Sequence, residues 1–313
     1  MTKRGMLIFV MLLLSMASGM QSTSAQTVTP AVELSCSPAS IPIDVYPGAT
    51  RIGYTTCTVS NPSVHYEEIG INYQAGALAV SGIGSVSLGP GLEEEFQVQV
   101  HADVQMAEGQ HQVLITANVE SVNGVPPPTV ADSQVKAMAV INQFARLRVE
   151  AEAPLVTMEM GEEMTISFLV YNDGNAMDTF LLELEFMDEL NDAGWVALIS
   201  PTKVQIEPRS PPERVRITLD APDDTTYLEG GTSTSNGTTE YWYSVGLKAT
   251  SEFSLRVTGI PEFEFATSVI TLQEYPEESG LASVTEALPS LGAALTILTI
   301  LGVAVTTNRH HEN

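Results

Sequence analysis

Two cysteines, five histidines and 13 lysines and arginines among 313 residues leave this chain short of the side chains on which most enzymes and nucleic-acid binders depend. The cysteines, Cys36 and Cys57, have no CxxC spacing and no nearby histidine to complete a four-ligand zinc set. Between the chain's two ends lie only His65, His101 and His111, and there is no HExxH, no GxSxG elbow, no Gly-rich phosphate loop and no recognisable Cys-His spacing. The chain is therefore not expected to be an enzyme or to carry a cofactor. Against its 13 basic residues stand 38 acidic ones, a formal net charge of −25. Such a field repels phosphate backbones, which excludes nucleic acid as a partner, and it favours solubility in saline or calcium-containing surroundings. The middle of the chain also lacks any long helical periodicity.

Long apolar runs occur only at the ends. Met6 to Met16 follows Lys3 and Arg4 and precedes the small residues Thr23 and Ala25. A basic head, a short apolar stretch and a small-residue cleavage site are the three parts of a secretory signal peptide, so residues 1–25 read as one, with Gln26 the mature N-terminus. The second run, Ala287 to Thr307, would rise to about 30 Å as a helix, the thickness of a bilayer's hydrocarbon core. Arg309 behind it places the tail, residues 308–313, in the cytoplasm. These ends predict a cell-surface, single-pass membrane protein whose body lies outside, joined to the span by a stalk over residues 276–286. In that oxidising setting Cys36 and Cys57 are expected to form a disulfide.

The body itself alternates with period 2. Phe96, Val98 and Val100 alternate with Gln97, Gln99 and His101; Val113, Ile115, Ala117 and Val119 repeat the pattern. Ile166, Phe168 and Val170, then Phe180, Leu182, Leu184 and Phe186, then Val215, Ile217 and Leu219 do the same further on. The punctuation also recurs in order. Tyr46-Pro47-Gly48 and a strand ending at Asn61 correspond to Met160-Gly161 and a strand ending at Asn172. Leu88-Gly89-Pro90 before the Phe96 strand corresponds to Ile206-Glu207-Pro208 before the Val215 strand. Such recurrence is the mark of a repeat. The expected fold is all-β, with two tandem Ig-like antiparallel β-sandwiches over residues 26–142 and 143–275.

The string from Gly161 to Phe180, with Val170-Tyr171-Asn172-Asp173-Gly174-Asn175 at its turn, resembles the strand-turn-strand signature of CARDB adhesion-type domains. It is equally similar to the Ig-like domains found beside alpha-galactosidases and in archaeal surface proteins. Trp195, Val196 and Pro208 before a V-x-I-x-L strand continue the resemblance, which covers most of Ala145 to Ser254 and, more weakly, Val32 to Val140. It implies seven-stranded sandwiches serving as spacer, adhesion or accessory modules. Leu288-Pro289-Ser290 before the apolar run loosely resembles a PGF-CTERM sorting signal, which implies that the helix is either retained or exchanged for a lipid anchor.

Four features are candidates for binding or modification. Asp173, Asn175 and Asp178 crowd one turn, and Asp188, Glu189, Asn191 and Asp192 another; hard oxygen ligands at short spacing suit calcium, although Asn172-Asp173-Gly174 can equally build a turn that caps its own backbone. Asn236-Gly237-Thr238 is a glycosylation sequon, whereas Asn61-Pro62-Ser63 is blocked by its proline. Tyr241, Trp242 and Tyr243 offer either a sugar-stacking platform or strand aromatics divided between core and surface. The functional expectation is a structural or adhesive role, possible partners being other surface proteins or glycans; the alternative is a calcium- or glycan-binding accessory module.

Overall fold

The computed structural model describes residues 28–276, and within them the chain divides into two compact units. Unit 1 holds the chain up to Arg146 together with Asn172–Asp178 and Glu207–Ser210; unit 2 holds Leu147–Tyr171, Thr179–Ile206 and the chain from Pro211. The expected signal peptide, most of the stalk and the expected transmembrane run, residues 287–307, lie outside the described residues. Among the described residues no helix is long and apolar enough to cross a membrane.

In the first half, β1 (Glu33–Ser37), β3 (Ile52–Ser60), β7 (Glu93–His101) and β5 (Ala79–Ser81) form one sheet in the order β1-β3-β7-β5. A second sheet runs β2-β9-β8-β4-β6, from β2 (Ser40–Ile43), β9 (Asp132–Ile141), β8 (Gly109–Val122), β4 (Glu67–Gln74) and β6 (Ser85–Leu88). The alternation read in the sequence is what makes two sheets close on each other: Val98, Val100, Val113, Ile115, Ala137 and Ala139 all point inward and are fully buried. Each such valine or isoleucine contributes about 1.5–3 kcal/mol by leaving water, and each alanine less. Gly53 is required where it stands, because a Cβ there would meet Ile41 Cγ2 at 2.4 Å and Ile43 Cγ1 at 2.8 Å. Strand β2 packs its two isoleucines into that gap while running parallel to β9.

The second half repeats this plan. Strands β10 (Leu147–Ala151), β12 (Glu163–Asn172), β16 (Glu213–Asp220) and β14 (Val196–Ser200) form a sheet in the order β10-β12-β16-β14. Its companion runs β11-β19-β18-β13-β15, from β11 (Leu155–Glu159), β19 (Phe263–Glu274), β18 (Thr239–Ser251), β13 (Asp178–Glu185) and β15 (Lys203–Ile206), with the short β17 (Thr232–Ser233) hairpinned onto β18. Strand for strand this is the order of the first half. In both halves the chain crosses from β4 or β13 to the far edge of the opposite sheet and then returns beside the strand it left.

One expectation needs correction. Nine strands, not seven, build each pair of sheets among the described residues, the hairpin strand β17 apart. The additional ones are edge strands such as β5 and β6, three and four residues long, and so too short to display a period. Among the described residues there are also two six-residue helices, α1 (Met187–Asp192) and α2 (Glu252–Val257). Helix α1 is anchored by buried Leu190 and favoured by Asp188 and Glu189 in its first turn, where carboxylates meet the positive end of the helix dipole.

Candidate functional site

The predicted disulfide is present. Cys36 on β1 and Cys57 on β3 are directly opposite each other in the antiparallel register, with Cα atoms 4.0 Å apart and an S–S bond of 2.06 Å. The bridge joins neighbouring strands of one sheet and so fixes the position of edge strand β1, rather than tying sheet to sheet.

The calcium candidates Asp173, Asn175 and Asp178 lie between the end of β12 and the start of β13. Asn175 is buried, and within unit 1 its amide nitrogen donates to Met106 O at 3.1 Å and Asn142 O at 3.0 Å. Its oxygen accepts from the Phe144 N–H at 2.9 Å, so this side chain is committed to holding backbone. Beside it Asn172 accepts from the Gly174 N–H and donates to Ala176 O, both at 2.9 Å, an Asx-type turn that closes on itself. Asp178 is buried, and the Asp173 N–H donates to Arg146 O. The second acidic group, Asp188, Glu189, Asn191 and Asp192, is exposed along helix α1. Among the described residues no group of three or more His, Cys, Asp and Glu side chains is placed to hold a metal ion.

The signal for such a cluster in sequence is proximity along the chain, and the acidic depression that the fold does create is assembled from distant segments. Glu159 at the end of β11, Asp223 and Asp224 after β16, and Glu274 at the end of β19 line a hollow of about 400 Å³ in unit 2. Hydrogen bonds from Thr226 hold the exposed Asp224 carboxyl below the usual carboxylate range. Tyr241 donates to Glu274 at 3.3 Å, and burial, with Glu274 beside it, pushes the Tyr241 phenol up.

Strand alternation divides the three consecutive aromatics. Tyr241 and Tyr243 point into unit 2, Tyr243 meeting the Trp195 ring edge-on at 5.6 Å, while Trp242 is 57% exposed. Register places Trp242 opposite Thr271, Lys248 opposite Phe265 and Thr250 opposite Phe263, so Trp242, Phe263 and Phe265 share the outer face of the β18-β19 pair. Both phenylalanines are about half exposed, at 49% and 55%. Lys248 lies over the Phe263 ring at 5.2 Å and is steadied by Glu183 at 3.4 Å. Because Phe263 and Phe265 are some twenty residues from Trp242 in the chain, only the pairing of β18 with β19 reveals this face.

The sequon occupies the tip of the β17-β18 hairpin. The Gly237 N–H donates to Thr234 O at 3.1 Å and the Thr234 N–H to Thr238 O at 2.8 Å, with Gly237 at φ +83°. That is a tight turn followed by a left-handed glycine, a conformation the Asn-Gly pair favours. Asn236 is exposed there. Asn61 is its opposite: fully buried, its amide donates to His65 O, Leu88 O and Gly89 O and accepts from the Ser63 N–H. The three histidines are not brought together; His65 neighbours Asn123, and His101 neighbours Ser81.

No protein-family model matches the chain, and no curated protein is significantly similar to it. Among solved structures, a protein of unknown function from Porphyromonas gingivalis W83 is 12% identical, covering 77% of this chain and 99% of its own, with a TM-score of 0.28. Native alpha-2-macroglobulin from Escherichia coli, from domain MG7 to the C-terminus, is 15% identical over 50% of this chain and 24% of its own, with a TM-score of 0.31. The class 5 fimbriae chaperone CfaA is 11% identical over 74% of this chain and 98% of its own, with a TM-score of 0.24. The assignment to the β-sandwich class therefore rests on the chain's own sheet order and its two buried cores.

Proposed function

We propose that this chain is a membrane-anchored cell-surface protein with a structural or adhesive role, built as two serial Ig-like modules and without catalysis of its own. The observation that carries the reading is the repetition of one nine-strand sheet order in two halves. Serial modules of this kind add length and surface, and chemistry is not needed for either task. The Cys36–Cys57 bridge supports an oxidising location, and the acidity of the chain supports an exterior one. In intact cells bearing the full chain, an impermeant protease should remove the body, and deletion of the gene should reduce attachment of the cells to one another or to surfaces. A body protected from protease, with attachment unchanged, defeats the reading.

A second reading is an accessory module that binds glycans or calcium for a partner surface protein. Trp242 and the two phenylalanines on its face favour the glycan arm, since exposed aromatic faces stack on sugar rings; the acidic hollow at Glu159, Asp223, Asp224 and Glu274 is what the calcium arm has. A glycan array separates the first arm, with binding lost in Trp242→Ala. Titration with calcium separates the second, and the absence of both heat and a shift in melting temperature rules it out.

A further inference from the structure

The geometry points to Asn236 as an N-glycan attachment site placed beside the end of β19, so that the sugar covers Tyr275 and Pro276; this rests on the export reading above. The sequence contains two Asn-x-Ser/Thr triplets, and the fold treats them oppositely. Asn61 has its amide nitrogen bound by three carbonyls and no exposed surface. Asn236 stands at the outermost part of a two-strand hairpin, on an exposed turn whose hydrogen bonds are all made by neighbouring Thr234, Gly237 and Thr238. A bulky group on Asn236 therefore displaces no packing.

The position of this hairpin gives the modification a consequence. Strand β18 pairs with β19 from Thr239↔Glu274, so the hairpin tip lies beside the end of the last strand. A Cβ on Gly237 would stand 3.6 Å from Pro276 Cγ. Next to it Tyr275 is more than half exposed, with its hydroxyl on Gln273. An oligosaccharide on Asn236 thus overhangs Tyr275 and Pro276 and shields the neighbouring Glu274–Tyr275 bond from proteases.

The transfer needs a donor of one chemical class, an oligosaccharide carried on a membrane polyprenyl phosphate or diphosphate. The Asn236 amide nitrogen forms a bond to the anomeric carbon of the first sugar. The bond from that carbon to the phosphate oxygen breaks, and its electron pair leaves with the polyprenyl phosphate. One proton passes from the amide to a base of the host transferase. No oxidant or reductant is involved.

The test is mass spectrometry of the full chain purified from its natural host, read together with its N-terminus and the state of Cys36 and Cys57. The peptide containing Asn236 should carry an oligosaccharide mass that is lost in Asn236→Gln and in Thr238→Ala and retained in Thr238→Ser. Cleavage of the Glu274–Tyr275 bond by a glutamyl endopeptidase should be several-fold faster in the two variants that lose the sugar, with the disulfide still formed in all. A bare Asn236, or a shift no larger than amide hydrolysis produces, on a chain that begins at Gln26 and holds its disulfide overturns this proposal and leaves export standing. A bare Asn236 on a chain that begins at Met1 with free thiols overturns both. Glycan present with cleavage unchanged in Asn236→Gln overturns the covering role.

Discussion

The two halves share a strand order and differ in what fills them. Aligning the sequences of β3 and β12 by Asn61, which directly follows β3, and Asn172, which ends β12, sets Cys57 against Phe168 and Gly53 against Met164. The first core is aliphatic, with Phe96 its sole buried aromatic and the Cys36–Cys57 bridge at its edge. The second core holds Phe168, Phe180, Trp195 and Tyr241 and has no bridge among the described residues. Large rings bury more surface per residue and so supply by packing what the other half gains by cross-linking. One sheet order thus accepts two different ways of being stable.

The largest test of that contrast is Trp195→Ala. Trp195 is 2% exposed, and removing so large a buried ring costs about 3–5 kcal/mol. Hydrogen exchange should show protection lost from β12, β13, β16 and β18 and unchanged in β3, β7, β8 and β9. Trp195→Phe should cost clearly less, because the indole N–H has no hydrogen-bond partner among the described residues. Equal losses in both halves contradict the division into separate cores.

Opening the bridge is the mirror experiment. Replacing Cys36 and Cys57 together by serine releases a constraint between residues 21 apart, worth roughly 3 kcal/mol in the chain-entropy model. The loss should fall on the first half alone, most strongly at β1, which among the described residues has β3 as its sheet neighbour and no strand on its other side. Denaturant melting in the presence and absence of reductant checks it, and an unshifted first half shows that its aliphatic core suffices.

The smallest effect is alkaline. Tyr73 donates to Ile83 O at 2.8 Å, and burial pushes its phenol up to about 12. Between the ordinary value of 10.0 and about 12 the native state keeps a proton that the unfolded chain has released. This contribution is complete below pH 10 and lost as pH rises through about 12. Tyr73→Phe should flatten that part of the pH–stability curve for the first half. Burial also raises Tyr241 and Tyr243, so the second half keeps its own alkaline slope in that variant. An unchanged curve in Tyr73→Phe assigns the loss elsewhere.

Both asparagine corners show how far local sequence reaches. Asn172 with Gly174 is legible as a turn because the side chain bonds its own next residues. Asn61 is not, since two of its carbonyl partners, Leu88 and Gly89, lie 27 and 28 residues away. The long strands β7, β8, β12, β13 and β16, each of eight or more residues, are visible as alternation along part of their length. The edge strands are too short for any period, and their place depends on which neighbour they find. Of the candidate sites, the sequon and the cysteine pair are local in nature and were readable. The outer face of Trp242, Phe263 and Phe265 and the acidic hollow are products of register, which no window along the chain contains.

What this sequence determined by itself is the class of the fold, the inward and outward sides of its long strands, the acidity of its surface and the repeat, all of which follow from side-chain chemistry at fixed short spacing. Tertiary structure alone decided that Tyr241 and Tyr243 are core while Trp242 faces out with distant phenylalanines, that Asn175 secures backbone, and that the Asn236 turn lies against Pro276. Those outcomes depend on strands separated by tens of residues coming into hydrogen-bonded register, and register is set by the packing of the whole face rather than by any one segment.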